Sequence, residues 1–224
     1  VRGVAQSLVG YDETSSLKVI HMSRNAAFGL MVAAVLPTLA LAQGAGPNTA
    51  PKKVEPGTYS VDPNHTQVGF SVSHMGFSLY SGRFSDASGE LDLDPKSTSA
   101  SRVRISVPVN TISTTSTRLD GKLKDGDWLD SKTFPTMSFT STSVTPGAKG
   151  KAKVAGELTL HGITKLVTFE VEFIGSGVNP LDKKYTAGFL IRGDIKRSDF
   201  GVRKYVPLIG DAVHIAMNAA FEKN

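Results

Sequence analysis

The chain has 224 residues, 40% hydrophobic and 20% charged, which suits one domain plus a leader and argues against global disorder. It contains no cysteine, which excludes disulfides, thiolate metal sites and a cysteine nucleophile. The net charge is +5, but the lysines and arginines alternate with acids and no helix or patch gathers them, so nucleic acid is not expected as a partner.

The first segment reads as an address. Met22-Ser23-Arg24-Asn25 leads into an apolar stretch from Ala26 to Ala42, interrupted only by Pro37 and Thr38. A positive start, an apolar middle and an Ala40-Leu41-Ala42 ending are the parts of a secretory signal peptide over residues 22–42. Cleavage after Ala42 would put the mature protein in the periplasm. The apolar stretch is shorter than the ~20 residues a spanning helix needs, so no membrane span is expected after cleavage. Residues 1–21 are polar and patternless and are read as an over-extended N-terminus. Losing residues 1–42 removes three basic and two acidic residues, so the leader does not create the basic balance. Residues 43–57, rich in Gly, Pro, Ala, Asn and Lys, are expected to form a flexible tether, and the folded domain to occupy residues 58–224.

Within that domain the dominant pattern has period two, the mark of strands with one apolar face. In chain order, Val68, Phe70, Val72 and His74 share one face. So do Val103, Ile105, Val107 and Val109; Met137 and Phe139; and Val154, Leu158 and Leu160. Val167, Phe169, Val171 and Phe173 follow, then Tyr185, Ala187, Phe189 and Ile191, and last Val213, Ile215, Met217 and Phe221. Turn residues fall between the runs at Asp94-Pro95, Thr145-Pro146-Gly147, His161-Gly162 and Asn179-Pro180. Phe84 is even-numbered while Ala87, Leu91 and Leu93 are odd, so a β-bulge is expected near Ser85 or Asp86.

A short helical segment is expected near 117–127, with Thr117 as cap, Asp120 three residues on, and Leu119 and Leu123 on one face. Trp128, Leu129 and Phe134 follow and are placed to plug one end. The connections are short, so neighbouring strands should run antiparallel, and about eight of them escape open edges by closing. The expected fold is all-β, a lipocalin-like antiparallel β-barrel. Arginine, lysine and glutamate opposite valine and phenylalanine suit a barrel that is apolar inside, the reverse of a membrane barrel.

Reactive groups are sparse. There is no H-E-x-x-H, no G-x-S-x-G and no phosphate loop, so no metal, no cofactor and no catalytic residue is expected. His74 shares the inward face, either as a structural histidine at the barrel end or as a contact for a ligand's polar head. His65, after Asp62-Pro63-Asn64, and His161, beside Gly162, read as turn-stabilising, and His214 as solvent-facing. Arg197 continues the parity of Phe189, Ile191 and Ile195 into the barrel mouth. There it needs Asp199 or Asp194 as a partner, or else an anionic head.

Several runs resemble the YceI-like family of bacterial lipid-binding proteins. They are Y-S-V-D-P-N-H-T-Q-V-G-F-S-V-S-H-M from Tyr59, S-G-R-F-S from Ser81, T-R-L-D-G-K-L from Thr117, F-P-T-M-S-F-T-S-T from Phe134, G-E-L-T-L-H-G-I-T-K from Gly156 and R-S-D-F-G-V from Arg197. The resemblance covers Gly57 to the C-terminus and implies a periplasmic carrier that encloses a polyisoprenoid, an isoprenoid quinone or another long apolar lipid. Lys122, Trp128-Leu129 and Ala87 depart from the family's usual residues and bear on the ligand more than on the fold.

The interior positions expected to hold the lipid are Phe70, Val72, His74, Ile105, Val107, Phe139, Leu158, Phe169, Val171, Ala187, Phe189, Ile191, Arg197 and Ile215. Two rivals remain: an enzyme acting on such a lipid through His74 or Arg197, and a stress-related interaction protein with a filled core. A homodimer is left open.

Overall fold

The computed structural model describes residues 46–224; the expected leader and its cleavage site lie outside them. The strands are β1 (Gly57–Val61), β2 (Gln67–His74), β3 (Ser78–Phe84), β4 (Ser88–Leu93) and β5 (Arg102–Pro108). They continue with β6 (Thr136–Pro146), β7 (Lys151–Leu160), β8 (Ile163–Val178), β9 (Tyr185–Lys196) and β10 (Ile209–Lys223). One helix, α1 (Thr117–Lys124), separates β5 from β6.

All neighbours are antiparallel, as short connections require. The order β1-β4-β5-β6-β7-β8-β9-β10 closes on itself through β1 and β10. β1 and β2 pair with successive stretches of β10, so they form one barrel strand broken at residues 62–66. β3 and β4 form another, broken at residues 85–87. The barrel therefore has eight strands.

Both breaks have local causes. At the first, Thr66 is buried; its hydroxyl donates to the Ala220 carbonyl oxygen and accepts the Ala220 N–H. Asp62 accepts the Asn64 N–H and pairs with His65. Hence His65 does stabilise a turn. At the second, Asp86 has φ 58°, and Phe84 and Ala87 on either side are both buried. The parity change is met by a break rather than by a bulge inside a continuous strand.

Two bulges carry no sequence signature. The β6–β7 register shifts between Ser141 and Ser143, turning Val144 inward. The β8–β9 register shifts between Phe173 and Gly175, which leaves Ile174 exposed and Ser176 buried.

One end of the barrel is capped. α1 is capped by Ser116, whose hydroxyl accepts the Leu119 N–H, so the cap is Ser116 and not Thr117. Asp120 instead turns back and accepts the Thr114 N–H and hydroxyl. Leu129, Leu160, Ile195 and Phe200 pack beneath this end. His161 hydrogen bonds the Phe200 carbonyl oxygen at 3.1 Å, and Phe134 lies edge-on to its ring. His161 thus ties its hairpin to a distant segment.

The other end is sealed on one side. Tyr59 is fully buried, donates to the Glu55 carbonyl oxygen at 2.6 Å, and has its phenol pushed up to about 12, chiefly by burial and then by Tyr185 and Glu55. Ala187 and Phe221 pack around it. Part of the stretch expected as a flexible tether is fixed here. Asn48 exchanges two backbone hydrogen bonds with Ser176, Pro51–Lys53 form a 3-10 turn, and Val54 is buried in the core.

The outer face is charged. Glu170 lies opposite Arg192, and Glu90 opposite Arg104. That surface is wrong for contact with hydrocarbon. Among the described residues no helix is long and apolar enough to cross a membrane.

Candidate ligand cavity

Inward alternation from eight strands builds one apolar cavity of about 780 Å³. β6 alone has 11 residues, which at the usual rise and tilt spans roughly 28 Å along the barrel axis. The cavity reaches from Trp128 and Arg197 at the capped end to Pro51, Pro146 and Lys149 at the other.

An eight-strand barrel is just wide enough for its own side chains to fill, so the open bore needs a cause. Three glycines supply it. A Cβ at Gly82 would come within 2.5 Å of the Phe70 ring, at Gly156 within 2.5 Å of Phe139, and at Gly193 within 2.6 Å of Phe169. Each ring occupies the space that a side chain on the neighbouring strand's glycine would need. Phe139 and Phe169 then meet edge to face at 5.3 Å.

Twelve of the fourteen expected interior residues border this cavity: Phe70, Val72, Ile105, Val107, Phe139, Leu158, Phe169, Val171, Phe189, Ile191, Arg197 and Ile215. Two do not. His74 has the parity of Val72, but it is the last residue of β2, beyond the rim, and is exposed. Ala187 points inward and has 0% exposure, yet it is buried in the packing around Tyr59 and Phe221 rather than on the bore.

Arg197 corrects another expectation. β9 ends at Lys196, and Arg197 opens a 3-10 turn. Its partners are neither Asp199 nor Asp194. Nε donates to the Gly210 carbonyl oxygen at 2.9 Å, Nη1 to Val202 at 2.9 Å and Nη2 to Ile209 at 2.8 Å. The guanidinium also lies 5.5 Å from the Trp128 ring centre. Burial pulls its pKa down against the opposing pull of Asp211, which itself accepts from Ser198. A guanidinium keeps its charge under such a shift. With 6% exposure it fastens the returning segment 202–210 to the cap.

Sequence reasoning missed the residues at the opposite mouth: Lys52, Arg102, Lys149 and Lys151. Lys52 falls in the expected tether and Lys149 between β6 and β7, while Arg102 and Lys151 are the first residues of β5 and β7, where alternation has not yet set a face. The detectable signal is the Thr145–Lys153 stretch, which has three lysines and no acid. Among the described residues no Asp, Glu or His borders the cavity. Among the described residues no group of three His, Cys, Asp or Glu is placed to hold a metal ion.

Three comparisons bear on this architecture. The family model of the YceI-like domain matches residues 59–221. A UPF0312 protein of Vibrio vulnificus (strain YJ016) is 34% identical over 158 residues, which are 70% of this chain and 81% of that one. The crystal structure of a Campylobacter jejuni YceI protein superposes with a TM-score of 0.61 at 26% identity, over 68% of this chain and 90% of that one. A polyisoprenoid binding domain from Saccharophagus degradans shares the fold alone, at a TM-score of 0.54 and 17% identity over 74% and 98% of the two chains. The matched span runs from the buried Tyr59 of β1 to Phe221 of β10, the two strands that close the barrel, and so takes in every strand residue of the cavity wall, leaving out only the Ala50–Val54 segment at the mouth: the chain belongs to the YceI-like family.

Proposed function

We propose that this protein binds one long apolar lipid, a polyisoprenoid or an isoprenoid quinone, inside the barrel and carries it through the periplasm without altering it. The observation that carries the proposal is the bore itself, about 780 Å³, apolar along its length, with charge only at its two ends. Each methylene taken from water contributes about 0.8 kcal/mol, so a tail of tens of carbons binds tightly with few polar contacts, up to the usual ceiling on affinity. The ligand class agrees with the name of the Saccharophagus degradans domain that shares the fold. Periplasmic residence rests on the signal-like Met22–Ala42 segment.

Binding is favoured over conversion because the two groups considered for chemistry are engaged elsewhere. His74 lies outside the bore, and three donors of Arg197 are taken by carbonyl oxygens. An open bore also speaks against a merely filled core. The test is mass spectrometry of an organic extract of the folded, purified protein. One apolar species near equimolar amount is expected; an empty extract, together with no uptake of added prenyl alcohol, would overturn the proposal.

A further inference from the structure

The lipid reading leaves open which end of the ligand lies where, and what its head group is. The charges answer both. Among the described residues five charged ones border the cavity, and all five are cations: Arg197 at the cap and Lys52, Arg102, Lys149 and Lys151 at the other mouth. Three short segments bring the four together. The 3-10 turn Pro51–Lys53 packs against the β6–β7 hairpin, where a Cβ on Gly150 would meet Pro51 at 2.8 Å. Beside them, the loop before β5 carries Thr98 and Ser101, and β5 starts at Arg102.

These cations differ from Arg197 in what they already hold. Lys52 and Lys149 are exposed, and among the described residues neither has an ion-pair partner. Arg102 donates through Nη1 to the carbonyl oxygens of Ser99 and Ser101. Lys151 has Glu172 at 3.9 Å, but Glu172 alternates with the inward Val171 and Phe173, so it lies on the outer face. The mouth is thus a positive rim around an apolar bore, with Thr98 and Ser101 in its wall.

We propose that this rim binds the anionic head of an amphiphile, a phosphate or a carboxylate, while its tail runs up the bore to Trp128. The inference rests on the lipid-binding reading and narrows it to ligands with an anionic head, which an isoprenoid quinone lacks. Ligands enter tail-first and leave head-first past the Pro51–Lys53 turn and the β6–β7 hairpin, and the capped end never meets a head group. A neutral prenyl alcohol fits the same bore but gains nothing at the rim.

The experiment is a matched set of titrations on the full folded barrel, with geranylgeranyl phosphate against geranylgeraniol and palmitate against hexadecanol. The test variant is Lys52→Gln/Lys149→Gln. The control is Lys132→Gln/Lys165→Gln, which removes two exposed lysines from elsewhere. We expect the test variant to weaken an anionic ligand about tenfold, to leave its alcohol within about twofold, and to flatten the salt dependence of the anion's binding. A loss for the phosphate alone, or for both anions, tells which head the rim takes. Equal effects on anion and alcohol, or an equal loss in the control variant, overturn the rim assignment. If no ligand of either pair binds the unaltered protein, it is the lipid reading that falls.

Discussion

At the capped end the cation that borders the cavity is buried and fastened to three carbonyl oxygens, whereas at the opposite mouth Lys52 and Lys149 stand exposed with no ion-pair partner among the described residues. The same charge therefore has two roles, set by surroundings. Arg197 gives up hydration and recovers it in hydrogen bonds whose acceptors lie on the returning chain, so its role is to hold the cap closed. The rim lysines keep their water and contribute little to folding, so their charge stays available to a ligand.

The largest effect should come from breaking the buried side of this contrast. Arg197→Ala strands the carbonyl oxygens of Val202, Ile209 and Gly210 and removes the cation from the Trp128 face. We expect a loss of about 3 kcal/mol or more in urea unfolding, since each buried unpaired acceptor costs about 1–3 kcal/mol. Arg197→Lys should recover only part of it, because an ammonium lacks the fork that reaches three acceptors. Lys149→Ala, by contrast, should stay within about 0.5 kcal/mol of the unaltered protein. Similar costs for Arg197→Ala and Lys149→Ala would erase the distinction between the two ends.

A smaller effect sharpens the picture at the break between β1 and β2. Burial works to raise the Asp62 carboxyl, but hydrogen bonds from His65 and the Asn64 N–H together outweigh it and hold it below its usual 3.8. The same hydrogen bond raises His65 above its usual 6.5. A lowered acid stabilises the fold above its unfolded value and loses that contribution as pH falls through the folded one. A raised histidine stabilises below its unfolded value and loses its contribution as pH rises through the folded one. The pair should therefore add most between 3.8 and 6.5 and less on either side. Thermal melts across that range should show a shallow maximum that Asp62→Asn abolishes; an unchanged profile in the variant would mean the pair contributes nothing.

How much of this was legible beforehand follows the range of the forces involved. Alternation is local, so Phe70, Ile105, Phe169 and Ile191 were placed inside correctly by parity alone. The bulges beyond Ser141 and Phe173 are set by strand pairing, which no local pattern records. Parity also says nothing of depth along the axis. His74 and Ala187 both face as expected, yet one lies beyond the rim and the other in solid packing. Arg197 was correctly turned inward, but its partners are backbone groups 5 to 13 residues away in the chain, which side-chain types cannot reveal. The lysine run within Thr145–Lys153 is visible in the sequence, but the rim is not, because three separate segments have to meet before Lys52, Arg102, Lys149 and Lys151 form a group.

The account stands on the bore being open rather than filled, and Val171 tests that most directly. It borders the cavity at mid-strand, while Thr168 on the same strand is exposed. A tryptophan in a packed core costs roughly 1–3 kcal/mol or more, whereas in an open bore it displaces the ligand instead. The measurement is lipid occupancy by mass spectrometry, alongside the melting temperature, for Val171→Trp and Thr168→Trp. An open bore predicts that Val171→Trp folds, melts near the delipidated protein and carries no lipid, while Thr168→Trp keeps its full complement. Full lipid occupancy in Val171→Trp, or failure of that variant alone to fold, would contradict it.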